Sequence, residues 1–175
     1  MEHLFFPELT DKETVHSYAR VYNRYIQGRK KILEIGIQRG GRVLAWAATG
    51  AETWGIDIEN APGYLKGRVK CVKGNAYCKE AIDFFKSQGV KFDMIVEDGS
   101  HTPKDILWAA QHYTELLSEK GVMIIEDIPD DATVAELKKV FGFWTVEYDL
   151  RSVKGRFDDR IVVLERVLEI KLPST

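Results

Sequence analysis

Residues 92–127 read FDMIVEDGSHTPKDILWAAQHYTELLSEKGVMIIED. Two apolar runs in this stretch each end in acid. Phe92-Asp93-Met94-Ile95-Val96 leads into Glu97-Asp98-Gly99-Ser100-His101, and Val122-Met123-Ile124-Ile125 leads into Glu126-Asp127. Between them Ile106, Leu107, Ala110, Tyr113, Leu116 and Leu117 recur at helical spacing, with Pro103 in the first turn and Gly121 after the end. The pattern predicts a strand, a crossover helix and a parallel strand. Parallel neighbours lie about 5 Å apart and end on one rim of the sheet. In open α/β sheets that rim is where ligands bind. Asp98 and Glu126 are therefore expected side by side, with His101 close to them. Gathered carboxylates repel each other unless a cation or a proton relieves them. A hard metal ion with a general base beside it is the chemistry this pattern predicts.

Working outward, the rest of the chain reads as one α/β domain spanning residues 1–175, with residues 1–28 as an N-terminal lid and helix segment. Lys12 to Ile26 has a helical face of Val15, Tyr18, Ala19, Tyr22 and Ile26. Strands are predicted at Lys31–Ile35, Glu52–Ile58 and Val69–Lys73, with helices at Arg42–Thr49 and Ala76–Ser87. Asp131–Phe141 is predicted helical, capped by Asp130 or Asp131. Trp144–Leu150 and Arg160–Glu165 are two late strands whose short connection forces an antiparallel hairpin. The expected architecture is a mostly parallel seven-stranded sheet with one antiparallel strand and helices on both faces. Trp46, Trp54 and Trp108 read as packing residues, His112 as a surface residue of its helix, and Arg151–Asp159 as an exposed loop. Glu97 is expected to face away from Asp98.

A second candidate site lies at the first strand. Lys31-Ile32-Leu33-Glu34-Ile35-Gly36-Ile37-Gln38-Arg39-Gly40-Gly41 is a strand entering a glycine-bearing turn and then a helix. Glycine lets the backbone approach a ligand closely. Asp57 ends the next strand, about 20 residues on, where a carboxylate can meet ribose hydroxyls. A dinucleotide fingerprint would need a glycine where Gln38 stands, because that glycine admits the pyrophosphate. Glu34, an acid in the last turn of the strand, suits a cationic, phosphate-free ligand such as S-adenosylmethionine. Asn75, in Gly74-Asn75-Ala76, can donate to and accept from an adenine edge.

Composition narrows the class. The chain has 175 residues, 45% hydrophobic, with net charge −2, so a single core is affordable and no basic field points to nucleic acid. Leu4-Phe5-Phe6 is too short for a signal-peptide core, and no run approaches a membrane span. Two cysteines, Cys71 and Cys78, make neither a zinc-type pair nor a disulfide framework. Cys71 reads as a buried strand residue and Cys78 as a helix start, and a reducing, cytoplasmic setting is expected.

Taken together these residues resemble the class I S-adenosylmethionine-dependent methyltransferases, and within them the metal-dependent macrocin- and mycinamicin-type sugar O-methyltransferases. The likeness is carried by Thr10-Asp11-Lys12 with His16, Tyr18 and Tyr22, by Leu33-Glu34-Ile35-Gly36-Ile37 with Gly40-Gly41, and by Asp98-Gly99-Ser100-His101 with Glu126-Asp127. The resemblance implies a Rossmann-like methyltransferase fold and methyl transfer to a hydroxyl of a small acceptor, a sugar or other diol. It implies magnesium or another divalent cation on Asp98, Glu126 and Asp127, with His101 as the catalytic base beside Asp98. It further implies S-adenosylmethionine held by Glu34, Gly36, Asp57, Ile58, Asn75 and Ala76, with Thr10 and Lys12 closing over it. Arg42 departs from the pattern, standing where such proteins tend to have serine, and Asn75 replaces a more usual acid. Competing readings are a nicotinamide-dependent oxidoreductase and a non-catalytic S-adenosylmethionine-binding module. No membrane partner is expected, and a homo-oligomer is compatible with the sequence.

Overall fold

The computed structural model describes residues 12 and 14–165. Seven strands form one sheet: β1 (Lys31–Ile35), β2 (Glu52–Asp57), β3 (Lys70–Lys73), β4 (Phe92–Glu97), β5 (Leu117–Ile125), β6 (Thr145–Asp149) and β7 (Arg160–Glu165). They lie in the order β3-β2-β1-β4-β5-β7-β6. The first five pair in parallel, and β7 runs antiparallel to both β5 and β6. The single antiparallel strand is as the short late connection requires. Because the chain moves outward from β1 to β3 and then returns to β4, the strand order reverses between β1 and β4. That switch point leaves a crevice at the carboxyl ends of the strands.

Alternation along each strand feeds two cores. Leu33, Ile95, Met123, Ile125 and Val162 face one layer, with α3 (Lys79–Ser87), α4 (Pro103–Tyr113) and α5 (Asp131–Phe141) packed over them. Ile32, Met94, Val96, Ile124 and Val163 face the other, covered by Trp46 of α2 (Gly41–Ala48) and by Tyr22 of α1 (Ala19–Tyr25). Trp46 is fully buried; enclosing a large apolar side chain is worth on the order of 1.5–3 kcal/mol. Among the described residues no helix is long and apolar enough to cross a membrane.

Several element boundaries differ from the sequence reading for local reasons. The helical periodicity overruns α4, which ends at Tyr113; a 3-10 turn follows, and β5 starts at Leu117. Leu117 is buried opposite Phe92, and Ser118 Oγ donates to Asp93 Oδ1 at 2.9 Å, so packing and a side-chain bond pull this segment onto β4. Helix α3 starts at Lys79 rather than Ala76, because Asn75 Oδ1 accepts from Tyr77 N at 2.9 Å and holds a turn there. Cys71 is exposed, not buried, since β3 is a short edge strand. His112 is half-buried, stacked on Trp108 with ring centroids 4.1 Å apart. Asp130 does cap α5, accepting from Thr133 N at 2.7 Å.

Candidate active site

The carboxyl rim carries a cavity of about 410 Å³ at the switch point, reached by the ends of β1, β2, β3 and β4. Gly36, Asp57, Ile58, Asn75, Ala76 and Asp98 are among its lining residues. Gly36 has φ 90, and a Cβ there would overlap the carbonyl oxygen of Asp98. Only glycine lets β1 turn this close to β4. Asp57 is bound into the glycine loop itself: Oδ2 accepts from Ile37 N at 2.7 Å and Gln38 N at 3.0 Å, and Oδ1 accepts from Glu59 N at 2.9 Å. These backbone donors outweigh its burial and hold the carboxyl below its ordinary value. Gln38 is left-handed, φ 44, so a side chain occupies the place where a pyrophosphate-binding loop would keep glycine.

Beyond Asp98 the rim becomes a dense charge cluster. Strand parity puts Glu34, Asp98 and Glu126 on the α1–α2 face, the face of Ile32, Val96 and Ile124. Asp127 would face the other way in an extended chain. It instead has φ 51, a left-handed kink just past β5 that brings its carboxylate back to the same group. His101 is also left-handed, φ 55. Its Nε2 lies 3.8 Å from Asp98 Oδ1 and 3.9 Å from Asp127 Oδ2. Ligand atoms of Asp98, His101 and Asp127 all lie within 4.8 Å of one another. Neither Asp98 nor His101 caps α4; Thr102 does, accepting from Asp105 N at 3.3 Å.

Two cations enter this cluster from distant parts of the chain. Arg42, at the start of α2, spans three acids: Nη1 donates to Glu126 Oε2 at 2.6 Å, Nη2 to Asp98 Oδ2 at 2.6 Å, and Nε lies 2.9 Å from Glu34 Oε1. Lys12 Nζ lies 2.8 Å from Glu126 Oε2, 3.3 Å from Asp98 and 4.0 Å from Asp127 Oδ2. Tyr22 OH donates to Glu126 Oε1 and Tyr18 OH to Asp127 Oδ1. His16 Nδ1 faces Asp159 Oδ1 at 3.2 Å and Asp127 Oδ1 at 3.5 Å.

The ionisation of these groups follows their partners. Burial works against a charged Glu126, but Arg42 and Lys12 outweigh it and hold its carboxyl low. Burial wins at Asp98, raising it in spite of Arg42. Asp127 is likewise raised, by burial and then by Glu126. Lys12 stays protonated because Glu126 and Asp98 overcome the cost of burial. Burial, then Glu126, pushes the Tyr22 hydroxyl up, so it remains a donor. Glu97, on the opposite face, is fully buried and pushed up to about 7 by burial, against the hydrogen bond from Tyr77 OH at 2.6 Å.

The site residues expected from sequence distribute unevenly. Gly36, Asp57, Ile58, Asn75 and Ala76 line the cavity. Glu34 does not: its strand face turns it under α2, where Trp46 Nε1 donates to Oε2 at 2.8 Å. Lys12 is drawn to the acids rather than to the cavity. Thr10 lies outside the described residues. Asp98, His101 and Asp127 converge, whereas the Glu126 carboxylate is engaged by Arg42, Lys12 and Tyr22. Sequence reasoning missed the roles of Arg42 and Glu97. The signal for Arg42 was its departure from the pattern, a charge at an otherwise apolar helix start.

A family model described as "Methyltransferase domain" matches residues 27–128. No curated protein matches the chain in sequence. Solved structures of MycE methyltransferase from the mycinamycin biosynthetic pathway superpose well. One, in complex with Mg and SAH, has a TM-score of 0.67 at 18% identity, covering 87% of this chain and 50% of that one. Another, with Mg, SAH and mycinamycin VI, has a TM-score of 0.67 at 17% identity, covering 87% and 49%. The chain thus spans about half the length of these proteins. At such identities the likeness is one of fold.

Proposed function

The chain belongs to the methyltransferase domain family, and from that premise we propose that it transfers a methyl group from S-adenosylmethionine to a hydroxyl of a small molecule, a sugar or other diol, with help from a divalent cation. One observation carries this reading. Asp98 lines the cavity on one side and belongs to the Asp98–His101–Asp127 group on the other. A ligand in the cavity and an acceptor at the acids would therefore meet at a single residue. The bound complexes of the MycE structures, with Mg, SAH and mycinamycin VI, support the same pairing of sites.

The residues present fit both groups. The cavity is backbone-walled at Gly36 and carries no phosphate-binding glycine at Gln38. Four acids, Glu34, Asp98, Glu126 and Asp127, face two fixed cations, Arg42 and Lys12. Carboxylates outnumber these cations, and a divalent ion would relieve their mutual repulsion. Asp98 and Asp127 would hold that ion; oxygen donors suit magnesium or manganese. Such an ion would supply Lewis acidity that makes an acceptor hydroxyl easier to ionise. S-adenosylmethionine supplies the electrophilic methyl group. His101, with a side chain 36% exposed and Nε2 3.8 Å from Asp98 Oδ1, would receive the hydroxyl proton at Nε2. The chain's main contribution is to hold the reacting partners in line.

Thermal unfolding tests the cofactor. S-adenosylmethionine and S-adenosylhomocysteine should each raise Tm by mass action. Methyl transfer to a panel of vicinal diols should stop with EDTA and return with magnesium, while the S-adenosylhomocysteine shift persists. Stabilisation by NADH and none by S-adenosylhomocysteine would end the methyltransferase reading. Full activity in EDTA would end its metal part.

A further inference from the structure

His101 sits in the left-handed region, φ 55, where a side chain strains the backbone. Such a residue keeps its place only when its surroundings hold it there. A functional histidine is usually oriented by a hydrogen bond at its second ring nitrogen. Here Nε2 is turned to Asp98 and Asp127, at 3.8 and 3.9 Å, and the buried Nδ1 has no hydrogen-bond partner among the described residues. The loop that carries the ring must therefore aim it.

Two side chains grip that loop. Glu97, fully buried at the end of β4, accepts at Oε1 from Gly99 N at 3.2 Å and from Tyr77 OH at 2.6 Å. The same Tyr77 oxygen accepts from Ser100 N at 2.8 Å. Burial, then Glu97, pushes the Tyr77 hydroxyl up, so it remains a donor to the carboxyl. The two amides just before His101 are thus fixed to one buried pair. Gly99 is what lets the pair come so close, because a Cβ there would overlap the Tyr77 oxygen. The Ser100 side chain is held as well, its Oγ donating to Asp105 Oδ2 at 2.6 Å. Tyr77, Gly99 and Ser100 also line the cavity, so the grip stands between the cavity and the acids.

We propose that Tyr77 and Glu97 are positioning residues that clamp the Gly99–Ser100 backbone and so aim His101 Nε2 at the acids. That the ring serves methyl transfer rests on the reading above; that the clamp holds the ring does not.

Tyr77→Phe tests it, because it keeps the aromatic ring in the cavity wall and removes only the hydroxyl. Exchange of the Ser100 amide should quicken by roughly ten-fold, and the imidazole ¹H–¹⁵N resonances of His101 should shift or broaden. The Kd of S-adenosylhomocysteine should stay within about three-fold while kcat falls on the order of ten-fold or more, since a misaimed base costs turnover rather than binding. On a His101→Ala background the same change should cost less than about two-fold in kcat, because no base is left to aim. Gly99→Ala, whose added carbon displaces the Tyr77 oxygen, should move the His101 resonances in the same way. Unchanged His101 resonances in both variants, or an equal loss of kcat with and without His101, overturns the proposal. A wild-type chain that transfers no methyl group ends the methyltransferase reading instead, and the resonances alone then decide for or against the clamp.

Discussion

On one side of Asp98 the carboxyl rim is open and shaped by backbone; on the other it is closed and packed with charged side chains. The open half depends on Gly36 and on the Asp57 carboxylate, which takes three backbone N–H groups. Its partners lie within one turn or one crossover of each other. The closed half joins Lys12, Arg42, Asp98 and Glu126, which four separate parts of the chain supply. The first half can admit a neutral or cationic ligand with no change in its own charge. The second is a cluster in which carboxylates outnumber the cations, which a further cation can complete. The same rim thus provides a receptor made by geometry beside a receptor made by electrostatics.

The largest effect should come from the seam between the halves. Gly36→Ala meets two penalties at once, a φ of 90 and an overlap with the Asp98 carbonyl oxygen. Urea unfolding should show a loss on the order of 3 kcal/mol or more. Any folded fraction should bind both S-adenosylhomocysteine and Mn²⁺ poorly, because both halves hang on this approach. A variant within about 1 kcal/mol of wild type would mean that the halves are joined more loosely than their geometry indicates.

The next effect should fall on one half only. His101 sits over the acids at 3.8 and 3.9 Å. If it takes the acceptor's proton, His101→Ala should lower turnover on the order of 10²-fold, because that task exists only in the transition state. Binding of S-adenosylhomocysteine and of Mn²⁺ should stay within about three-fold, and measuring all three separates the roles. A ten-fold loss of Mn²⁺ affinity alongside turnover would make His101 a ligand instead.

The same division explains what could be read from sequence. Gly36, Asp57 and the strand ends at Glu97 and Ile125 follow from local spacing, so the fold and much of the cavity lining were legible. Parity also put Asp98 and Glu126 on one face and Glu97 on the other. The closed half was only partly legible. Adjacent Glu126 and Asp127 both join it because Asp127 leaves the extended region at φ 51, which nothing in Glu126-Asp127-Ile128-Pro129 specifies. Lys12 and Arg42 reach it through packing of the N-terminal segment and α2 against the rim, contacts between residues far apart in the chain. The partners of Glu34 were hidden for the same reason: Trp46 and Arg42 sit on a helix that folds back over its strand.

The smallest effect should test how the two halves treat a buried carboxyl. Glu97 and Glu126 end neighbouring strands, and Glu126 N donates to Glu97 O at 3.0 Å. Both side chains are fully buried. Glu126 faces two cations and remains ionised; Glu97 faces Tyr77 OH and Gly99 N, with one oxygen unpartnered, and burial lifts it to about 7. In the unfolded chain a glutamate titrates near its ordinary value of about 4.3. The folded state therefore binds the proton more tightly. Stability from this group is fully present below about pH 4 and is lost as pH rises through about 7, because the unfolded chain releases its proton first. Glu97→Gln cannot titrate and keeps an acceptor for Tyr77 and Gly99. Its stability relative to wild type should rise from pH 5 to pH 8 by on the order of 2–3 kcal/mol, measured by denaturant unfolding at both values. A difference independent of pH would mean that Glu97 stays ionised when folded, and that two hydrogen bonds can do at this depth what Glu126 achieves only with two cations.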